Sequence, residues 1–442
     1  MTFTQNLIRA RGHIVFLAAL VAGFFLVQWL DTQETARSKT SGASQSQMDQ
    51  FAEIATLPLT QPRPSTEQDL INARVAWTYF QNNTNAKTGL ANSANGFPST
   101  TMWETGSYLI AILSAERLGL ITAAEADSRI AAVVNSLKQV RLFDGKLPNK
   151  AYNTETLELV DYGNKPSEKG LGWSALDVAR LLSAFGLIER NLPEMAPSIE
   201  ALLKSWQIDQ MIEHGQLIGT NIADGKIRRD QEGRLGYEQY AAKSMMMFGY
   251  DASRAFETEG KMMVQMVEGI PVAVDSRTQH GGAPAFVVSE PYLFDGLEYG
   301  FDARSQLFAT TVYQAQEARF ANTGNLTAVT EGHLNQAPYF SYTTVWGGGA
   351  PWAVLSFTGE RMDSKRTLST KAAFAWDALF GTEYTAKLVA AVAGNADPAK
   401  GWAEGIYEAD GKQNTSVTAN TNAVILAALS FKATGPLIRV AK

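Results

Sequence analysis

Cysteine is absent from the 442 residues of this chain, which removes disulfides, thiolate nucleophiles and cysteine-bound metals together. Histidine is scarce: the four, His13, His214, His280 and His333, are scattered, so neither a metal site nor a Ser/His catalytic pair is expected. No G-x-S-x-G elbow, H-E-x-x-H pair, EF-hand loop or G-x-G-x-x-G turn occurs. The stretch from Gly219 to Lys226 fails as a phosphate loop, because its spacing is one residue too long and Ile227 replaces Ser or Thr. There is no long Lys/Arg run and the formal net charge is -6, so nucleic acid is excluded as an expected partner. No cofactor is expected either.

What is present is apolar. With 45% hydrophobic and 19% charged residues, the chain can bury a large core. Ile14 to Leu30, IVFLAALVAGFFLVQWL, carries no charge and matches a hydrocarbon layer of about 30 Å. Arg9 and Arg11 precede it and Asp31 and Glu34 follow, so residues 1–13 are expected in the cytoplasm, 14–30 as a transmembrane anchor with Trp29 at the interface, and the remainder exported. A cleavable signal peptide is the alternative, but that class ends its apolar core on small residues rather than on Gln28-Trp29-Leu30. Residues 31–64 are rich in Ser, Thr, Gln and Ala, with Pro58, Pro62 and Pro64, and are expected as a flexible tether. Ser65 followed by Gln68 resembles a capping box, placing the folded domain at 65–442.

Within that domain a pattern recurs: a polar, Gly-containing loop, a helix apolar nearly all round, a turn, and a second helix. SYLIAILSAERLGLI from Ser107, LDVARLLSAFGLIE from Leu176 and NTNAVILAALSFKATG from Asn420 are of the first kind. Thr122 to Val140 and Pro193 to Met211 carry a single apolar face. Helices apolar on every side must be surrounded by others, so inner and outer layers are implied. A ring of helical hairpins also lets so long a domain share one core among repeats. The expected fold is therefore mainly α, an α/α toroid with small β excursions, preceded by the transmembrane helix; the competing folds are an irregular helical domain and a bundle plus a small β part. The excursions are expected at Lys146 to Val160, at Gly215 to Asp230 and at Gly269 to Val288, which are β-prone and turn-rich.

An aromatic residue paired with a carboxylate beside small residues also recurs: Trp103-Glu104-Thr105-Gly106, Gly236-Tyr237-Glu238, Glu290-Pro291-Tyr292 and Gly401-Trp402-Ala403-Glu404-Gly405 with Tyr407-Glu408. Most stand just before an expected inner helix, and a toroid gathers those junctions at one end. Acetal cleavage needs this mixture, one carboxylic acid to protonate the leaving oxygen and one carboxylate to activate water or attack, with aromatic faces for the C–H faces of sugar rings. The catalytic candidates are Glu104, Glu238 and Glu404. Those for substrate binding are Trp103, Trp173, Asp177, Tyr237, Glu290, Tyr292, Trp346, Trp402 and Glu408. Each has a structural alternative: an acid at a helix start can serve only the helix dipole, and its aromatic neighbour can be core.

The strings TGLANSANGFPSTTMWETGSYLIAILSAERLGLI and GWAEGIYEADGKQNTSVTANTNAVILAAL, with GLGWSALDVARLLSAF and GRLGYEQYAAKSM between them, resemble the bacterial domain-of-unknown-function family 3131 over Ser65 to Lys432. The resemblance implies an exported, inner-membrane-attached bacterial protein facing the periplasm, similar in layout to glucoamylase-like hydrolases and endo-β-1,2-glucanases. Two functions follow as expectations. One is a periplasmic glycoside hydrolase or transglycosylase acting on a bacterial β-glucan or exopolysaccharide; the other is a non-catalytic glycan-binding or scaffold component of a polysaccharide synthesis or export machine. A lyase is a third and weaker alternative, since it calls for Tyr, His or Arg near an acidic polymer.

Overall fold

The computed structural model describes residues 46–278 and 285–438. The expected anchor at Ile14–Leu30 and the first part of the tether lie outside these residues, and no helix among those described is long and apolar enough to cross a membrane. Among the described residues, twelve helices from Glu67 onward alternate between two layers. The outer ones are α1 (Glu67–Asn83), α3 (Ala123–Leu137), α5 (Ala196–Leu203), α7 (Ser253–Phe256), α9 (Ala303–Thr323) and α11 (Glu383–Val392). The inner ones are α2 (Met102–Arg117), α4 (Ala175–Asn191), α6 (Tyr237–Met247), α8 (Glu290–Phe294, continuing as a π turn over Asp295–Tyr299), α10 (Thr370–Phe380) and α12 (Ala419–Thr434). Each inner helix packs on the next, α2 on α4, then α6, α8, α10 and α12, and α12 returns to α2. The ring is closed.

The two layers follow from the sequence. In α12 every residue from Ala419 to Phe431 is buried, as an all-apolar helix requires. The outer α3 buries only Ala126, Ile130, Val133, Val134, Ser136 and Leu137, one stripe at helical spacing. Thr101, Ser174, Ser369 and Thr418 cap α2, α4, α10 and α12 by accepting backbone N–H bonds at the same end of the ring. Gly106 lets α2 approach α4 closely: a Cβ there would lie 2.9 Å from the carbonyl oxygen of Arg180.

The strands lie in the connections that lead into inner helices. β1 (Gln216–Ala223) and β2 (Lys226–Gln231) form a hairpin before α6, and β3 (Met262–Val267) and β4 (Ile270–Asp275) form one before α8. Ahead of α10 come β5 (Glu331–His333), β6 (Phe340–Thr343) and β7 (Val354–Leu355), an antiparallel sheet with β6 in the middle. β9 (Gly401–Tyr407) lies between β8 (Thr367–Ser369) and β10 (Gln413–Val417) ahead of α12. The excursion expected at Gly215 to Asp230 is thus a real hairpin; that expected at Gly269 to Val288 contains β4 but not its partner β3, and its residues 279–284 lie outside those described. Lys146 to Val160 is mostly turns, with Tyr152–Asn153 paired to Ser99–Thr100 and isolated antiparallel bridges at Leu147, Leu159 and Val160, and the strands from β5 onward were not foreseen.

Two boundaries move. The capping box at the start of α1 is formed by Thr66 and Asp69, not by Ser65 and Gln68. The expected tether is not free to its end at Pro64. Phe51 packs on Phe308 of α9, with ring centroids 5.5 Å apart. Leu57 N–H donates to Thr310 Oγ1 (3.1 Å), Thr60 N–H to the Leu379 carbonyl (2.9 Å) and Arg63 N–H to the Lys432 carbonyl (2.9 Å). This strap crosses the C-terminal ends of α10 and α12, the end of the ring away from the caps.

Candidate active site

At the capped end of the ring the inner-helix N-termini and the strand excursions enclose a cleft of about 740 Å³. Its floor carries carboxylates from four elements: Glu104 of α2, Asp177 of α4, Glu331 of β5 and Glu404 of β9, joined by Glu232 just after β2. Glu104 and Asp177 occupy equivalent places, the third residue after the caps Thr101 and Ser174. Glu104 accepts from the Thr101 hydroxyl. Glu232 adds to the capping of α4, accepting from Ser174 Oγ (2.7 Å) and from the Ala175 N–H (2.6 Å).

Electrostatics separates these groups. Burial, then the charges of Glu232 and Glu104, push the Asp177 carboxyl up to about 8, so it holds its proton at neutral pH. Burial and then Glu290 push Glu331 upward as well. Burial also raises Glu404, against the pull of Lys371 and the Thr418 hydroxyl. Lys371, only 2% exposed, is ion-paired with Glu290, and Asn420 donates to the same carboxylate at 2.9 Å. The aromatic lining comprises Trp103, whose ring meets Tyr237 at 5.7 Å and Phe294 at 5.6 Å, and a row in which Phe286 meets Tyr342 at 4.2 Å and Tyr342 meets Phe340 at 5.3 Å.

A profile of the family described as "Protein of unknown function (DUF3131)" matches residues 71–435. The chain belongs to that family. No curated protein sequence matches this DUF3131 member. Among solved structures, a proposed glucoamylase from Bacteroides caccae superposes with a TM-score of 0.61 at 14% identity, covering 84% of this chain and 93% of the other. The endo-β-1,2-glucanase of Chitinophaga pinensis, solved with sophorotriose and glucose, gives 0.61 at 11% identity over 84% and 93%. That of Talaromyces funiculosus with sophorose gives 0.52 at 12% identity over 84% of each chain. At such identities the likeness establishes the fold shared by these proteins.

Of the residues anticipated from sequence, Glu104, Glu404, Trp103, Asp177 and Tyr237 line the cleft together. The others do not, each for a definite reason. Glu238 is fully buried and held by Arg277 (2.5 Å) and Lys261 (3.4 Å). Its neighbour Tyr237 faces the cleft, and successive helical residues point about 100° apart. Glu408 is gripped by Arg319 (2.7 Å) and Arg366 (3.0 Å). Glu290 lies behind the floor as the partner of Lys371. Trp173 and Trp402 are core, their indole N–H groups donating to Ile218 and Asn72 carbonyls, both at 3.0 Å. Tyr292 is 4% exposed within the core, and Trp346 pairs with Pro351 in a short hairpin packed on the core. Trp402 and Glu404 are two apart on β9, yet they part company because a register shift between Ala403 and Gly405 breaks the strand's alternation.

Sequence reasoning missed Glu232, Glu331 and Lys371. Lys371 stands two residues after the cap Ser369, the place held by Trp103 in α2 and Leu176 in α4, and that parallel could have found it. The two acids sit on or beside strands whose register no local pattern reveals.

Proposed function

We propose that the chain is a glycan-processing enzyme, a glycoside hydrolase or transglycosylase acting on a bacterial β-glucan or exopolysaccharide. The observation that carries this reading is the pairing, on adjacent inner helices, of a proton-holding Asp177 with Glu104 in an aromatic-lined cleft. Asp177 gives its proton to the glycosidic oxygen as the bond to the anomeric carbon breaks. Glu104 either accepts the proton of an attacking water or acceptor hydroxyl, or attacks the anomeric carbon itself. Burial pushes the Glu232 carboxyl upward, against the pull of Ser174, Lys150 and the Ala175 N–H, and its charge helps keep a proton on Asp177. The fold likeness to endo-β-1,2-glucanases supports the same reading.

The test is to incubate the full chain with a panel of bacterial glucans and measure new reducing ends. Glu104→Gln is expected to lose about 10²–10⁴-fold in kcat with an unchanged melting temperature. Full activity in that variant removes Glu104 from the chemistry.

The proposal also includes attachment to the inner membrane through Ile14–Leu30 with the domain in the periplasm, where a polysaccharide synthesis or export machine could be a neighbour. The uncharged run and the Arg9/Arg11 to Asp31/Glu34 asymmetry support it. Fractionation of cells carrying a tagged full chain should recover it in inner membranes; recovery among soluble proteins overturns the attachment.

A further inference from the structure

Two large aromatic side chains stand in water at the cleft: Phe357 is 80% exposed and Tyr162 is 62% exposed, and both belong to its lining. Single exposed aromatics are ordinary on a protein surface. These two differ in being presented by fixed turns. Around Phe357, Ser356 N–H donates to the Glu360 carbonyl (2.8 Å), while Ser356 Oγ accepts from the N–H groups of Thr358 (3.2 Å) and Glu360 (3.0 Å). Around Tyr162, Asp161 Oδ1 accepts from the N–H groups of Gly163 (2.9 Å) and Lys165 (2.8 Å), and Asp161 N–H donates to the Lys165 carbonyl (2.8 Å). Each turn is braced by its own polar groups, so the backbone that carries each ring at the cleft is fixed. Tyr162 shares the cleft lining with Asp177, Glu232 and Glu104, and Phe357 shares it with them from the β7 side.

We propose that Phe357 and Tyr162 are sugar-stacking positions at the mouth of the cleft, holding units of an uncharged glycan chain beyond the bond that is cleaved. The inference rests on the glycoside-hydrolase reading and deepens it by naming the ligand of the rim. A pyranose offers an apolar C–H face that covers an exposed ring. An anionic polymer is disfavoured, because the cleft lining holds six carboxyl groups, of Glu104, Asp177, Asp230, Glu232, Glu331 and Glu404, against three cations, Lys150, Arg234 and Lys371, the last of which is spent on Glu290.

The experiment uses the full chain carrying Asp177→Asn, so that binding is read without cleavage, in affinity electrophoresis against linear neutral glucans and against the disaccharide of each as a competitor. Adding Phe357→Ala or Tyr162→Ala should weaken retention by the polymer about tenfold and leave the disaccharide's affinity unchanged. Tyr339→Ala, which removes a comparably exposed ring that is not in the cleft lining, should change neither. Circular dichroism confirms that the variants are folded. Polymer retention equal to that of the Asp177→Asn parent in both rim variants overturns the inference while leaving the functional reading standing. A wild-type chain that neither retains nor cleaves any neutral glucan overturns the functional reading itself.

Discussion

Asp177→Asn is expected to cost about 10²–10⁴-fold in kcat and at the same time to make the protein harder to unfold at high pH. The two effects have one origin. In the unfolded chain an aspartate loses its proton near pH 3.9, whereas in the folded cleft burial, Glu232 and Glu104 delay that loss to about 8. Between those values the folded state binds the extra proton, so stability falls as pH rises through that window and stays low above it. The amide removes this penalty. Because the side chain still meets the water of the cleft, the gain above pH 8 is on the order of 1–3 kcal/mol. Melting curves of parent and variant should coincide near pH 4 and separate as pH rises. The wild-type kcat/KM should in turn show an alkaline limb near pH 8. A variant that melts with the parent at pH 9, or retains turnover, removes Asp177 from the role of acid.

The second large effect lies in the middle of the ring. Arg180 of α4 and Glu298 of the π turn are each 1% exposed and ion-paired. Tyr240 Oη donates to Glu298 Oε2 (2.8 Å), Ser183 Oγ donates to the same oxygen (2.7 Å), and Arg180 Nη1 donates to Tyr240 Oη (2.6 Å). The guanidinium also lies 4.1 Å from the Phe294 ring centroid. Glu298→Ala strands a buried cation, and should lower stability by about 3–5 kcal/mol. The double variant Arg180→Met/Glu298→Leu removes both charges and should recover most of that loss, as apolar replacements of buried pairs commonly do. Thermal unfolding of the single and double variants checks the sign; a single variant within 1 kcal/mol of wild type refutes the role.

This network touches the cleft. Arg180 Nε donates to Ser107 Oγ (3.4 Å), Ser107 to Asn420 Oδ1 (3.2 Å), and Asn420 to Glu290 (2.9 Å), which holds Lys371 under the floor. The floor is thus braced from the ring's centre rather than from its own loops.

The inner helices were legible because their apolarity on all sides has one physical solution, enclosure by other helices, and the outer ones because a single stripe needs a single neighbour. The gathering of helix starts at one end followed directly, which is why Glu104, Asp177 and Tyr237 fall in the cleft. Legibility stopped where a one-residue choice decides the direction of a side chain. Tyr237 and Glu238 are neighbours on α6 and face different surroundings; Trp402 and Glu404 share a strand and are parted by its register shift. Glu238 and Glu408 could not be told from cleft acids, because their arginines, Arg277, Arg319 and Arg366, are distant in sequence.

The strap has a consequence for how the molecule is held. Phe51 and Leu57 are fastened to the outer helix α9, Thr60 and Arg63 to the C-terminal ends of the inner helices α10 and α12, and Leu437 and Ile438 bond to the π turn. The described chain therefore begins at the base of the toroid, and the acid-bearing mouth opens at the opposite end, clear of the strap.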